Sequence, residues 1–161
     1  MSEQLPELPI DKSTWGDGPW QSEPDRVDFV AHGFACMIVR HPSHGHWCAY
    51  VGVPNTHPAY GKDYDDVDVE FHGGLTYADR CRDLICHVPQ PGMPDDVWWL
   101  GGDFAHCWDL APAMAARERD LGLDFAALRD TAGFVDVYRD VAYVRAETER
   151  LAAQLAEMGR A

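Results

Sequence analysis

Two short stretches carry the residue types that do acid–base or metal chemistry. VEFHGGLTYAD, residues 69–79, places His72 directly before Gly73 and Gly74. GGDFAHCWD, residues 101–109, follows another glycine pair with Asp103, His106 and Asp109 at intervals of three. An imidazole and a carboxylate are common zinc or iron ligands, and they also form acid–base pairs. Glycine permits positive φ and removes the Cβ that would hold a ligand away, and successive backbone N–H groups in such a turn form an anion-binding nest. Spacing of three puts Asp103 and His106 on one face of a helical turn. The candidate catalytic and metal-holding set is therefore His72, Asp103 and His106; the sequence identifies no cofactor, and a divalent metal is one candidate. Gly73, Gly74, Trp99 and Asp109 are the candidate ligand contacts. Trp98 and Trp99 point to opposite sides of a strand, so one packs in the core while the other floors a pocket and stacks a flat ligand.

The elements that must position these residues can be read from periodicity. Residues 66–72 alternate cleanly: Val67, Val69 and Phe71 on one side, Asp66, Asp68, Glu70 and His72 on the other. That pattern predicts a half-buried strand whose outer wall is acidic. GFACMIVR, HPSHG and HWCAYVGV predict a hairpin over 33–53. VWWLGGD, 97–103, predicts another strand ending at Gly-Gly, and 84–88 a short one. PAMAARERDLGL predicts one or two helical turns broken at Gly122. From Phe134 to Met158 apolar residues recur at steps of three and four: Phe134, Val137, Tyr138, Val141, Val144, Thr148, Leu151, Leu155 and Met158. This is the signature of an amphipathic helix lying on a sheet. Residues 1–28, rich in Pro, Gly and acid, predict an irregular N-terminal arm whose Trp15 and Trp20 dock on the body. Strands first and helix last make the fold class α+β, mainly antiparallel with a long C-terminal helix packed on the sheet, in a single domain over 1–161.

Composition narrows the function classes. The chain has 161 residues, 46% of them apolar, and a formal charge of −14. Such acidity, without a basic patch, repels nucleic acid and anionic membrane surfaces. No run approaches a membrane span, and MSEQLPELPIDKSTW lacks the basic and apolar regions of a signal peptide. The expectation is a cytoplasmic protein whose five cysteines are reduced. Cys81-x4-Cys86-His87 with Cys107 lacks tight zinc-knuckle spacing, and His41, His44 and His46 fall in or beside a turn. There is no P-loop, no G-x-S-x-G and no H-E-x-x-H.

The run GHWCAYVGVP…HPAYGKDYDDVDVEFHGGLTYAD, followed by ICHVPQPG…DDVWWLGGDFAHCWD, resembles a family of small uncharacterised bacterial and phage proteins. The resemblance covers roughly residues 33–110 and extends weakly into the last helix. The family usually has Phe-Asp-Cys before Ala-His, whereas this chain has Asp103-Phe104 there, so no thiol role carries over to Phe104. The resemblance brings no activity with it and marks the two stretches above as the family's signature.

Three function classes fit these residues. One is a small hydrolase, metal-assisted at His72, Asp103 and His106, acting on a small polar or nucleotide-like ligand. The second is a non-catalytic protein that sequesters such a ligand; the phage resemblance implies an anti-defence role for it. The third is an acidic interaction module docking on a basic partner.

Overall fold

The protein is described from a computed structural model, whose described residues are 10–83, 85–86, 92, 95–106, 108–123, 131 and 136–160. It is α+β. Five strands form one antiparallel sheet: β1 Arg26–Ala31, β2 Phe34–Arg40, β3 Trp47–Pro54, β4 Tyr77–Asp79 and β5 Val97–Asp103, in spatial order β1-β2-β3-β5-β4. Helix α1 spans Pro112–Asp120, and α2, Val141–Arg160, packs across the sheet. Among the described residues, no helix is long and apolar enough to cross a membrane.

Alternation along the strands divides the sheet into two faces. Ile38, Ala49, Val51 and Leu100 meet Val144, Leu151 and Leu155 of α2 on one face, all fully buried. Ala35, Met37, Tyr50, Val97 and Trp99 form a smaller cluster on the other. The predicted hairpin is present as β2 and β3, with Cys36 opposite Val51 and Ile38 opposite Ala49. Strand β1 extends it where an irregular arm is expected through residue 28. Its turn to β2 is made by His32 and Gly33, both at positive φ (52° and 81°), the conformation that fits a two-residue hairpin to strand twist. In the described part of the segment before Arg26, Trp15 and Trp20 are buried. Arg40, 1% exposed, anchors it through Asp25 (2.8 Å) and Glu23 (3.3 Å) and lies over the Trp47 ring.

Residues 66–72 are not a strand. Tyr64–Asp66 form a 3-10 turn whose first amide donates to the Asp63 side chain, and the chain then runs extended without a strand partner. The alternation nevertheless correctly separates the inward Val67 and Phe71 from the exposed Asp66, Asp68 and Glu70. The backbone of Glu70 finds its partners on a side chain. Its N–H donates to Gln154 Oε1 and its carbonyl accepts from Gln154 Nε2, both at 2.7 Å. A carboxamide of α2 thus supplies the donor and acceptor of a neighbouring strand, which satisfies an otherwise unpaired backbone.

The last helix begins seven residues later than its apolar period suggests. Val137 is 43% exposed and extended, bridged in parallel to Asp109; its N–H donates to the Trp108 carbonyl at 2.9 Å, and its own carbonyl accepts from Leu110 N at 2.9 Å. Helix α2 starts only where Asp140 accepts the amide of Tyr143 (2.8 Å) and Glu23 accepts that of Val141 (2.6 Å), satisfying the free donors of a helix N-terminus. Phe134 lies outside the described residues. Helix α1 matches the predicted turns, and Gly122 beyond it has φ 75°. Gly101 and Gly102 lie inside β5, opposite Tyr50 and Ala49, rather than after its end. Of the short strand expected over 84–88, the described part is an Ile85 bridge to Arg82. Cys81 and Cys86 lie side by side with Cα atoms 4.6 Å apart, close enough to pair as a disulfide. Their expected companions His87 and Cys107 lie outside the described residues.

Candidate functional site

Three segments converge beside the helix face of the sheet: the turn at 71–74, the loop after β5, and the start of α2. The first turn is closed by a Gly74 amide donating to the Phe71 carbonyl at 2.7 Å. Phe71 enters the core, so the turn swings His72 over Phe104, whose ring stacks on the imidazole at 4.7 Å and 14°. The loop after β5 folds back on itself: the Asp109 amide donates to the His106 carbonyl (2.9 Å), and the His106 amide donates to Asp109 Oδ2 (3.0 Å). Pairing of Asp109 with Val137 then holds the Asp109 carboxylate fully inside.

Asp109 is the hub. Its Oδ2 lies 2.7 Å from His72 Nε2 and 3.0 Å from His106 Nδ1, while Oδ1 accepts from Arg139 Nε at 2.9 Å. A carboxylate only accepts, so both imidazoles present N–H groups to the same oxygen. The opposite nitrogens are thereby left as acceptors. His72 Nδ1 accepts a hydrogen bond from the Tyr143 hydroxyl at 3.0 Å. His106 Nε2 lies against Gly73, 3.9 Å from Asp103 Oδ1. Burial pushes the Asp109 carboxyl upward, but the donors on His72, Arg139 and His106 outweigh it and hold the group below the ordinary carboxylate range. The Arg139 guanidinium also lies over the Tyr143 ring at 4.9 Å. Burial raises the Tyr143 hydroxyl, with Arg139 opposing.

The sequence-derived candidates fall in different places. His72 and His106 are neighbours, ring centres 5.3 Å apart. Asp109, expected only as a ligand contact, completes the group. His72, His106 and Asp109 each offer one atom, all within 4.8 Å of one another, a spacing that suits a metal ion. Asp103 is outside that group. No helical turn runs from 103 to 106; β5 continues through Asp103, which the strand alternation places on the far face opposite Cys48. Only the margin of its carboxylate reaches His106. Trp99 is not a ligand platform: it is fully buried in the second face's cluster, its ring packed on Gly52. Nor do Asp66, Asp68 and Glu70 wall the site. They stand in solvent, and Glu70 pairs with Arg150 at 3.4 Å.

The two glycines after His72 serve different ends. Gly73 has φ 70°, and a Cβ there would overlap the His106 ring, its least severe contact being 2.7 Å to Cδ2. Gly74 has φ 86° with open space around it. One glycine makes room for an imidazole and the other makes the turn.

Arg139, Tyr143 and Trp108 were not among the candidates. The first two read as ordinary helix-face residues when the helical period is carried back to Phe134. Trp108, 46% exposed, stacks on His106 at 5.9 Å and 20°. Elsewhere, His41, His44 and His46 form a stack of imidazoles with centres 4.5 to 5.8 Å apart. Burial first, and then His41, lowers the His46 pKa to about 4. Burial pushes the Cys36 and Cys48 thiols up to about 12, which disqualifies both as nucleophiles near neutral pH.

No family model, curated protein or solved structure matches the chain.

Proposed function

We propose that His72, His106 and Asp109 hold a divalent transition-metal ion, and that the protein is a small metal-dependent hydrolase acting on a small polar ligand. The observation that carries this reading is the buried Asp109 carboxylate facing two imidazole nitrogens at once. Two nitrogens and one carboxylate oxygen form a donor set for zinc or iron(II) that leaves coordination positions open. Tetrahedral bonds of about 2.0–2.1 Å set donors about 3.3 Å apart, so His72 Nε2 and His106 Nδ1 at 2.7 and 3.0 Å from Asp109 Oδ2 need widen by only a few tenths of an ångström. With a metal on those two nitrogens each neutral ring would carry its single proton on the opposite nitrogen, so that His72 Nδ1–H would donate to the Tyr143 oxygen and His106 Nε2–H would face Asp103. Outer partners of this kind orient metal-bound imidazoles and raise their basicity. Arg139 keeps Asp109 ionised. The metal, when bound, supplies a Lewis acid and lowers the pKa of a bound water towards 7.

A second reading is favoured by the hydrogen-bond lengths themselves. Asp109, His72 and Tyr143 form a continuous line at 2.7 and 3.0 Å. Without metal, Asp109 orients His72 so that Nδ1 is the base and the Tyr143 hydroxyl is the group it activates. The same pocket would also serve a protein that captures a ligand without transforming it.

Elemental analysis of the purified protein, followed by calorimetric titration with Zn2+ and Mn2+, separates these readings. The metal reading expects about one ion per chain and a loss of at least about 100-fold in affinity for Asp109→Asn, consistent with removal of a direct ligand. Absence of stoichiometric uptake, or uptake indifferent to His106→Ala and Asp109→Asn, would remove it. Hydrolysis by metal-free protein that Tyr143→Phe abolishes would establish the second reading. A loaded protein that turns over no ester, amide or phosphoester in a broad screen would leave capture.

A further inference from the structure

Resting on the metal reading, we propose that the ligand is a planar aromatic compound carrying an anionic group, with the anion on the metal and Arg139 and the ring on Trp108. Charge gives the first half. Around the centre stand the carboxylates of Asp103, Asp109, Glu70 and Glu147 and the guanidiniums of Arg139 and Arg150, four negative groups against two positive. The metal-free site is therefore negative by two, like the chain around it. A divalent ion would offset that charge and, beside Arg139, give an anion a pair of cationic contacts that the metal-free site lacks. Arg139 adds direction. Its Nε is committed to Asp109, while its terminal amino groups have no hydrogen-bond partner among the described residues and the side chain is 21% exposed. A planar guanidinium with free N–H groups suits a carboxylate or phosphate oxygen.

The second half comes from the aromatic rim. A tryptophan 46% exposed is unusual in a chain that buries Trp15, Trp20, Trp47 and Trp99. Trp108 covers the His106 ring with one face and turns the other outward. Its backbone is fixed by the bridge to Val137, so the ring is presented on a rigid support. Tyr143, 36% exposed, stands edge-on to the His72 ring, centroids 5.6 Å apart. An exposed aromatic face beside a bound cation admits a flat ring while its charged group reaches the ion.

Calorimetric titration with two phosphonates, neither of which presents a hydrolysable bond, tests this. Zinc uptake is measured first, since its failure overturns the metal centre itself, whereas uptake without selectivity overturns only the ligand class. With zinc bound, phenylphosphonate should bind at least tenfold more tightly than methylphosphonate. Trp108→Ala should erase that difference without weakening methylphosphonate, and Trp108→Phe should restore most of it. Arg139→Lys should weaken both ligands, and the metal-free protein should bind neither. Equal affinities for the two phosphonates in the parent, or a preference that survives Trp108→Ala, would overturn the assignment of the ring. Equal binding with and without zinc would overturn the assignment of the anion.

Discussion

Replacing each of the glycines after His72 by alanine separates the site from the fold. Both glycines have positive φ, 70° and 86°, where an L-residue costs about 1–2 kcal/mol. For Gly74→Ala that is the whole effect, because nothing lies within 4 Å of the new methyl. In a chain of this size about 1 kcal/mol lowers the melting temperature by roughly 2–4 °C. Gly73→Ala carries the same backbone cost and a second one. Its methyl would overlap the His106 ring, which must swing away and surrender its 3.0 Å bond to Asp109. A hydrogen bond to a charged group is worth about 1.5–3 kcal/mol, so Gly73→Ala should destabilise the protein by about 3 kcal/mol in all. Moving one of three ligands should also weaken Zn2+ binding by at least about tenfold, the scale of even an indirect disturbance. Gly74→Ala should leave metal affinity within about twofold of the parent, a difference under 0.5 kcal/mol. Urea denaturation and Zn2+ calorimetry on both variants give the comparison. Equal losses of stability with unchanged zinc binding in both would show that His106 is not seated where the geometry puts it, and would refute the reasoning.

Other outcomes follow from the same contacts. Asp109→Asn should destabilise at pH 7, and the gap to the parent should shrink as pH falls below about 4, because a carboxyl depressed in the folded state contributes stability only above its unfolded pKa; a gap independent of pH would contradict this. His46, held neutral by burial with its pKa near 4, should make the protein lose up to about 3 kcal/mol between pH 6.5 and 4, and His46→Phe should flatten that part of the stability profile measured by urea titration. Leu151→Ala, at a fully buried position against the sheet, should cost about 2–5 kcal/mol, and a urea midpoint within error of the parent would refute the packing of α2.

The sequence by itself determined the sidedness of the chain. β-rich composition and turn chemistry marked the β2–β3 hairpin, alternation set Trp98 and Trp99 on opposite faces of β5, and period-3.6 spacing set the buried stripe of α2, because which residues avoid water depends on side-chain chemistry repeated at a fixed pitch. It even sorted Val67 and Phe71 from their acidic neighbours in a segment that is no strand. Whether a segment with that alternation becomes a strand depends on a partner for its backbone, and there Gln154, 84 residues away from Glu70, took the place of one. His72, His106 and Asp109 could be named from residue type and spacing, but their relation could not. Asp103 looked closer to His106 than Asp109 did only under the assumption of a helical turn, and β5 running on through Asp103 removed it. Only the tertiary structure decided that Val137 would pair with Asp109 instead of joining the helix. That pairing buries the carboxylate, places Arg139 against it and brings Tyr143 to His72. Contacts of this kind join residues 30 and 71 positions apart, beyond the reach of any local periodicity, and they exist only once the sheet and α2 have closed on each other.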